Sequence, residues 1–349
     1  MGSAEKITSL LRHKSLSQAP GEKLPSVRAL MSRYGASLHA VNIALRQLEA
    51  EGLVTTKKGS GIYINPQKGV RYIELHRPQY PSLSMDIKEI SLDRAITQAG
   101  WKLLVKRHPV QGDDPEIQPN TKACAHVIMP TIFEANPSFF THITNQPAPI
   151  LAYGRVGGPF QIDYVTGDDH KYMSLLVKHL RGLGHQHLAL LANEPSFFSI
   201  TQRSELFLNI IDLFDLPKPV IIDCRTERGE NSTIKAYEGL TEHLAAVRGK
   251  PKFTALISAS AAGVVGALRA FHEAGVRVPQ DCSLASFGME PENALLVPSV
   301  TEVGVADDAW GQGAVEVLKQ RFAHPDSAPI GEKLAPSLIV RESTAPPRD

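Results

Sequence analysis

The hydrophobic pattern of this chain changes character near residue 65. Before that point, apolar residues recur at helical spacing in short runs. Ile7, Leu10 and Leu11 form a first stripe, and Ala19-Pro20-Gly21-Glu22 interrupts it with turn residues. Pro25-Ser26 opens a second helix, with Ser26 as its N-cap, an apolar face of Val27, Leu30, Met31 and Tyr34, and an end at Gly35. Ser37 caps a third helix that buries Val41, Ala44, Leu45 and Leu48 and stops at Gly52. Residues 53–56 and 62–64 then read as two strands around Lys57-Lys58-Gly59-Ser60-Gly61, a hairpin with a basic, glycine-rich tip.

After a short polar linker at 66–70, strand-like apolar runs alternate with amphipathic helices. The strands fall at 71–75, 103–106, 126–129, 149–153, 188–191, 220–222, 255–257 and 283–287. The helices fall at 170–181, 204–213, 235–247, 262–274 and 310–322. Such alternation predicts an α/β fold of parallel sheets flanked by helices. Residues 71–349 are too many for one small doubly wound sheet and suit two lobes. The expected organisation is a helix-turn-helix unit at 1–65, the linker, and a two-lobed domain at 71–349.

Charge sharpens this division. The net charge of +1 over 349 residues hides ten Lys and Arg against four Asp and Glu in residues 1–68, a net of +6. The remainder holds 27 basic and 32 acidic residues, a net of −5. A basic head on a mildly acidic body points to a head that meets a polyanion. With 42% hydrophobic residues, the composition excludes a disordered chain. No run of 18 apolar residues exists, so no membrane partner is expected, and the start MGSAEKITSLLRHKS lacks a signal-peptide core. Cys124, Cys224 and Cys282 form no CxxC pair, which fits a reduced, cytoplasmic setting.

Two helices and a basic hairpin make a winged helix-turn-helix. The third helix leaves His39, Asn42 and Arg46 outward near its start, where a recognition helix meets base edges, and the wing offers Lys57 and Lys58 to phosphate. The run PGEKLPSVRALMSRYGASLHAVNIALRQLEAEGLVTTKKGSGIYIN at 20–65 resembles the head of the GntR family of transcription regulators. That resemblance implies DNA contacts from Arg28, from Ser37, His39 and Asn42 in the recognition turn, and from Gly59, Ser60 and Gly61 in the wing. The family usually carries Ser-Arg-x-Thr-Val-Arg where this chain reads Ser37-Leu38-His39-Ala40-Val41-Asn42. Losing arginine–guanine contacts worth about 1–3 kcal/mol each implies a different operator, with Asn42 suited to adenine and Leu38 to a thymine methyl.

Chemical motifs in the body are sparse. Gly154-x-x-Gly157-Gly158 lacks the helix and acidic residue of a dinucleotide site, and Ser260-Ala261-Ala262-Gly263-x-x-Gly266 lacks the GxGxxG pattern. His185-x-His187 would share one side of a strand but has no carboxylate or cysteine partner for zinc. Neither a GxSxG elbow nor a phosphate loop occurs, so no catalytic residue, metal or cofactor is nominated. Asp168-Asp169 suits helix capping better than acid catalysis.

From about 149 to 344 the body resembles the effector domain of LacI-family regulators, carried by VKHLRGLGHQHLALLA, ALRAFHEAGVRVPQDCSLASFG, PSVTEVGVADDAWGQGAVEVL and LAPSLIVREST. The resemblance implies a periplasmic-binding-protein-like fold with a ligand cleft between lobes joined by three crossovers. It places these near 184–185, 299–301 and 329–334. By position it brings Tyr80, Phe197, Phe198, Arg203, Ser260 and Met289 to the cleft, with Arg203 as a fork for ligand oxygens. Two carboxylates usual in the family are replaced by Ala261 and Gly288, which leaves Asp168, Asp169 or Glu290 as possible acceptors. The whole is similar to repressors of the arabinose-responsive type that join such a head to such a body. It implies a homodimer on a double-stranded DNA operator, probed by a sugar-like effector. A constitutive DNA binder with a degenerate pocket and a cleft enzyme are the rival readings.

Overall fold

The computed structural model describes all residues except 1–2, 18–20, 58, 66–70, 80–81, 109–122, 131–142, 144–147, 155–160, 197, 326 and 349. Lys58, Tyr80, Phe197 and the expected linker therefore lie outside the described residues.

The head begins with α1 (Ser3–Ser17), which is longer than its stripe suggests, followed by α2 (Val27–Tyr34) and α3 (Leu38–Ala50). Ser26 and Ser37 both cap as their sequence positions require, accepting the backbone N–H of Ala29 and Ala40 at 3.2 Å. Gly35 ends α2 in the left-handed region at φ 59°. Ile7 and Leu11 of α1 join Leu30, Val41, Leu45, Leu48, Ile62 and Ile64 in one core. Arg12 forks onto Glu51 at 2.8 and 2.6 Å and so ties α1 to the end of α3. The wing pairs β1 (Val54–Lys57) with β2 (Gly61–Ile64) antiparallel, and residues 21–24 add a third edge through Gly21 N–H to Ile64 O and Leu24 N–H to Ile62 O.

The body contains two six-stranded sheets. In the first lobe the order is β13-β7-β6-β5-β3-β4, from β3 (Tyr72–Pro78), β4 (Lys102–His108), β5 (Ala123–Ile128), β6 (Ile150–Tyr153), β7 (Asp163–Gly167) and β13 (Gly331–Leu334). In the second it is β14-β12-β11-β10-β8-β9, from β8 (Leu188–Ala192), β9 (Val220–Asp223), β10 (Ala255–Ser258), β11 (Ser283–Phe287), β12 (Thr301–Gly304) and β14 (Ser337–Ile339). All neighbours are parallel except β12 with β14. The helices are α4 (Leu83–Gln98), α5 (Asp169–Gly182), α6 (Phe198–Leu213), α7 (Ser232–Ala246), α8 (Gly263–Glu273) and α9 (Asp307–Ala323). Ile73, Leu75, Val127 and Leu151 pack with Leu92 and Ile96 of α4 and Leu318 and Phe322 of α9. α4 and α9 approach so closely that a Cβ on Gly311 would sit 2.1 Å from the Ser91 carbonyl.

The crossovers do not lie where the sequence resemblance placed them. β7 leads directly into α5, which packs on the second lobe, so the first passage is at Gly167–Asp168. Residues 184–185 lie wholly inside the second lobe, between α5 and β8. The second passage follows β12 at 305–306, at the opposite end of the strand from 299–301. The third follows β13 at 335–336, because 331–334 is itself a strand of the first sheet. Sheet membership is set by long-range pairing, which local pattern does not encode. His185 is likewise in a loop and not a strand. Its ring bonds Thr254 Oγ1, Ser283 Oγ and the Ala345 carbonyl at 2.8–3.0 Å, a structural role. All three cysteines are buried and free. Among the described residues no helix is long and apolar enough to cross a membrane.

α1 also reaches the body. The His13 ring lies 5.7 Å from that of Phe322, and the Arg71 guanidinium sits over Phe322 and Trp101 at 4.7 and 5.3 Å. Burial, with the positive charges of Arg71 and Arg321 adding, lowers the His13 pKa to about 4 against a backbone hydrogen bond at Cys124. An unfolded chain titrates this group near 6.5, so between these values it binds a proton that the folded chain refuses. Stability should therefore be full above pH 6.5, fall as the pH drops towards 4, and level off beneath, by at most about 3 kcal/mol. Urea melts of the whole chain and of His13→Leu at pH 5 and pH 7 check this, since the variant should lose that part of the slope.

Candidate DNA-binding face and interlobe cleft

The buried side of α3 fixes what its other side presents. With Ala40, Val41, Ala44, Leu45 and Leu48 in the core, Leu38, His39 and Arg46 are exposed and Asn42 is half-buried beside them. Ser37 spends its hydroxyl on the helix cap, and Arg28 of α2 is exposed. In the wing, Gly59 and Gly61 hold φ at 78° and 131°, backbone that a side chain would strain. A Cβ on Gly61 would also stand 2.6 Å from Lys23 Cε. The Ser60 hydroxyl bonds the Tyr63 hydroxyl at 2.7 Å, and Lys57 and Lys23 place their ammonium groups 5.2 and 5.7 Å from the Tyr63 ring. Lys23 and Tyr63 are thus part of the wing surface, and their sequence signal is a lysine before the capping Pro-Ser and an aromatic in the second strand.

Between the lobes, the C-terminal ends of the parallel strands open on a cleft of about 420 Å³, the usual place for a ligand in such sheets. Lys88 and Trp310 line it from the first lobe. Arg203, Glu194, Ser260, Phe287, Met289 and Glu290 line it from the second. The floor is aromatic, with Tyr172 edge-on to Phe287 at 6.0 Å and Tyr153 edge-on to Trp310 at 5.6 Å. The Lys88 ammonium lies 4.0 Å from the Trp310 ring centroid. Burial first, and then the Arg203 charge, lower the Lys88 pKa to about 8 despite Asp169. Arg203 donates from Nε to Asp169 at 3.2 Å and from Nη1 to the Ala259 carbonyl at 2.8 Å, with its guanidinium 4.8 Å from the Phe287 centroid. Nη2 makes no hydrogen bond among the described residues.

The acceptors come from positions other than the family's usual ones. Ala261 and Gly288 face each other, so that a Cβ on Gly288 would be 3.1 Å from that of Ala261, and no carboxylate enters there. Glu194 lines the cleft instead and accepts Ser260 Oγ at 2.6 Å and Ser232 Oγ at 2.8 Å. Glu290 is pushed up to about 7 by burial and then by the neighbouring Glu292, Glu302 and Glu194, so near neutrality its carboxyl can both donate and accept. Asp169 is committed to Arg203. Asp168 lies apart, capping α5 through Lys171 N–H and lining a separate flank cavity of about 690 Å³ with Tyr164, Gln202 and Lys333. That cavity is larger and also touches both lobes, but the cleft is the one that the C-terminal ends of both sheets face and that Lys88, Glu194, Glu290 and Trp310 line. Phe198 opens α6, with its side chain outside the description. Lys88, Glu194 and Trp310 were missed by the sequence reading.

Comparison with known proteins gives two matches along the chain. Residues 4–64 match the gntR family of bacterial regulatory proteins, and residues 177–344 match the periplasmic binding protein-like domain. The HTH-type transcriptional regulator MalR of Streptomyces coelicolor is 26% identical over 280 residues, 78% of each chain. The arabinose metabolism transcriptional repressor of Geobacillus stearothermophilus is 22% identical over 352 residues, 93% of this chain and 92% of its own. Among solved structures, the lac repressor dimer bound to operator and the anti-inducer ONPF superposes with a TM-score of 0.67 at 18% identity, over 80% of this chain and 96% of that one. At that identity the likeness concerns fold.

Proposed function

From a chain that joins a gntR-family regulatory head to a periplasmic binding protein-like body, we propose a transcription regulator, acting as a repressor, whose grip on operator DNA answers to a small polar effector in the interlobe cleft. The observation that carries this reading is the cleft itself, where cationic, carboxylate and aromatic groups from both lobes converge on one space. An aromatic floor suits the apolar face of a sugar ring, while Glu194, Glu290, Lys88 and Arg203 suit its hydroxyls. Ligand contacts shared by two lobes favour one lobe angle, and α1 seats the head on the first lobe. A homodimer would then present two heads to a pseudo-palindromic duplex. The cleft binds without turning its ligand over, and cytoplasmic action follows from the DNA partner.

On the head, Arg28, Leu38, His39, Asn42 and Arg46 form the base-reading and positioning face, and Lys57 and Lys58 engage phosphate. Lys57→Ala should weaken binding to every sequence alike and reduce the slope of log affinity against log salt by about one. Mobility shifts at three salt concentrations check it, and a changed base preference at intact affinity would refute the wing assignment.

The experiment for the whole reading is a thermal melt of the full chain against pentoses, hexoses, uronates and nucleosides, followed by operator binding with each hit. A ligand that raises the melting temperature and changes DNA affinity supports the sensor. Consumption of that ligand would make the cleft an enzyme, and silence across the panel would favour a constitutive binder.

A further inference from the structure

The first sheet carries a second concentration of chemistry away from the cleft. In β3 the residues Ile73 and Leu75 face α4 and α9, so Glu74 and His76 point to the opposite face. His126 stands directly beside Glu74 in the β3–β5 register. All three are buried, at 5%, 0% and 2% exposure. A carboxylate and two imidazoles in the middle of a sheet are costly to bury unless they are hydrogen-bonded or paired, and these three converge on one another.

Their spacing says what partner fits. His76 Nε2 is 3.1 Å from His126 Nδ1, Glu74 Oε2 is 3.2 Å from His126 Nδ1, and Glu74 Oε2 is 3.4 Å from His76 Nε2. With the carboxylate ionised, hydrogen bonds within the triangle leave one edge repulsive. When both ring nitrogens donate to Oε2, two N–H groups face each other. When one ring donates to the other, a nitrogen lone pair faces the carboxylate. A cation takes a lone pair from all three corners at once. Three ligand atoms 2.0–2.1 Å from a tetrahedral ion lie about 3.3–3.4 Å apart, close to the observed edges. His76 also presents its other nitrogen, Nδ1, 3.0 Å from His108 Nε2, which can accept that N–H and so orient the His76 ring, as outer acceptors do for metal-bound imidazoles.

We propose that Glu74, His76 and His126 bind one first-row divalent transition-metal ion of the zinc type, with His108 as a positioning residue. Two imidazoles and one carboxylate form a known donor set for that ion, with the fourth position open to water. The ion would clamp β3, the first strand after the head, to β5. It is independent of the cleft and its effector.

The test uses the full chain stripped with a chelator and titrated with Co²⁺, then with Zn²⁺. One Co²⁺ per chain, a visible absorption band of tetrahedral intensity, and its displacement by one Zn²⁺ are expected, with a rise in melting temperature on Zn²⁺ addition. His126→Ala should abolish the band. Glu74→Gln, which keeps size and shape and guards against a folding failure, should weaken Zn²⁺ affinity at least tenfold, while His187→Ala leaves it unchanged. Absence of stoichiometric binding, or binding by folded Glu74→Gln as tight as that of the parent, would overturn the proposal and leave a buried hydrogen-bonded cluster.

Discussion

Arg203→Ala is expected to silence the cleft and loosen the body together. The arginine is held by Asp169 and the Ala259 carbonyl and stacked on Phe287, so its free edge is pre-aimed into the space where an effector would sit. Losing one charge-assisted hydrogen bond of about 1.5–3 kcal/mol reduces effector affinity by roughly 10- to 150-fold. The same change leaves the Asp169 carboxylate, 7% exposed, without the guanidinium that hydrogen-bonds it. Breaking a buried pair costs about 3–5 kcal/mol, and the 21% exposure of Arg203 places this one nearer 2–3. Arg203→Lys should recover part of the stability but little of the affinity, because an ammonium cannot reproduce the fork. Calorimetric titration with the ligand found by melting, alongside urea denaturation, separates the two effects. Unchanged ligand affinity in Arg203→Ala would move the effector out of this cleft.

A larger loss of stability is expected from Arg321→Ala. Arg321, near the end of α9, forks onto Asp163 at the start of β7 at 2.8 and 2.6 Å. It also holds the carbonyls of Pro325, Ser327 and Ala328 at 2.8–3.0 Å, and Asp163 in turn accepts the Ile330 N–H at 2.8 Å. One guanidinium thus fastens α9, β7 and the turn that delivers β13. Asp163 is 3% exposed, and stranding its charge should cost about 3–5 kcal/mol, a fall in melting temperature on the order of 10 °C. Arg321→Lys should rescue little. Calorimetry of the two variants checks it, and a shift below 2 °C for alanine would contradict this account.

What the sequence made legible follows from how local each determinant is. The head was readable because Ser26, Ser37 and Gly35 announce helix ends through their own chemistry, and its core stripes are clean. The strong body strands at 188–192 and 283–287 were readable for the same reason. α4 was not, since Leu83 and Ile90 are exposed while Leu92 and Ile96 are buried, which spreads apolar residues around the helix. Lys88 went unseen with it. β13, with the polar sequence GEKL at a sheet edge, carries no apolar run to detect, and without it the third crossover could not be located. Glu194 and Trp310 look like ordinary loop and helix residues until the two sheets face each other. Glu74 and His76 did leave a trace, two polar residues at spacing two that alternate with Ile73 and Leu75.

The seat of α1 on the body bears on how DNA would be measured. The helix is bolted to the recognition unit by Arg12 and Glu51 and rests on Phe322 through His13. A head held this way is no tethered bead free to search for its half-site. Two such heads would act as the fixed jaws of a caliper, reading not only base sequence but the rotational phase of the duplex between half-sites. Spacers differing by half a helical turn, about 5 base pairs, would then present one half-site on the wrong side of the DNA.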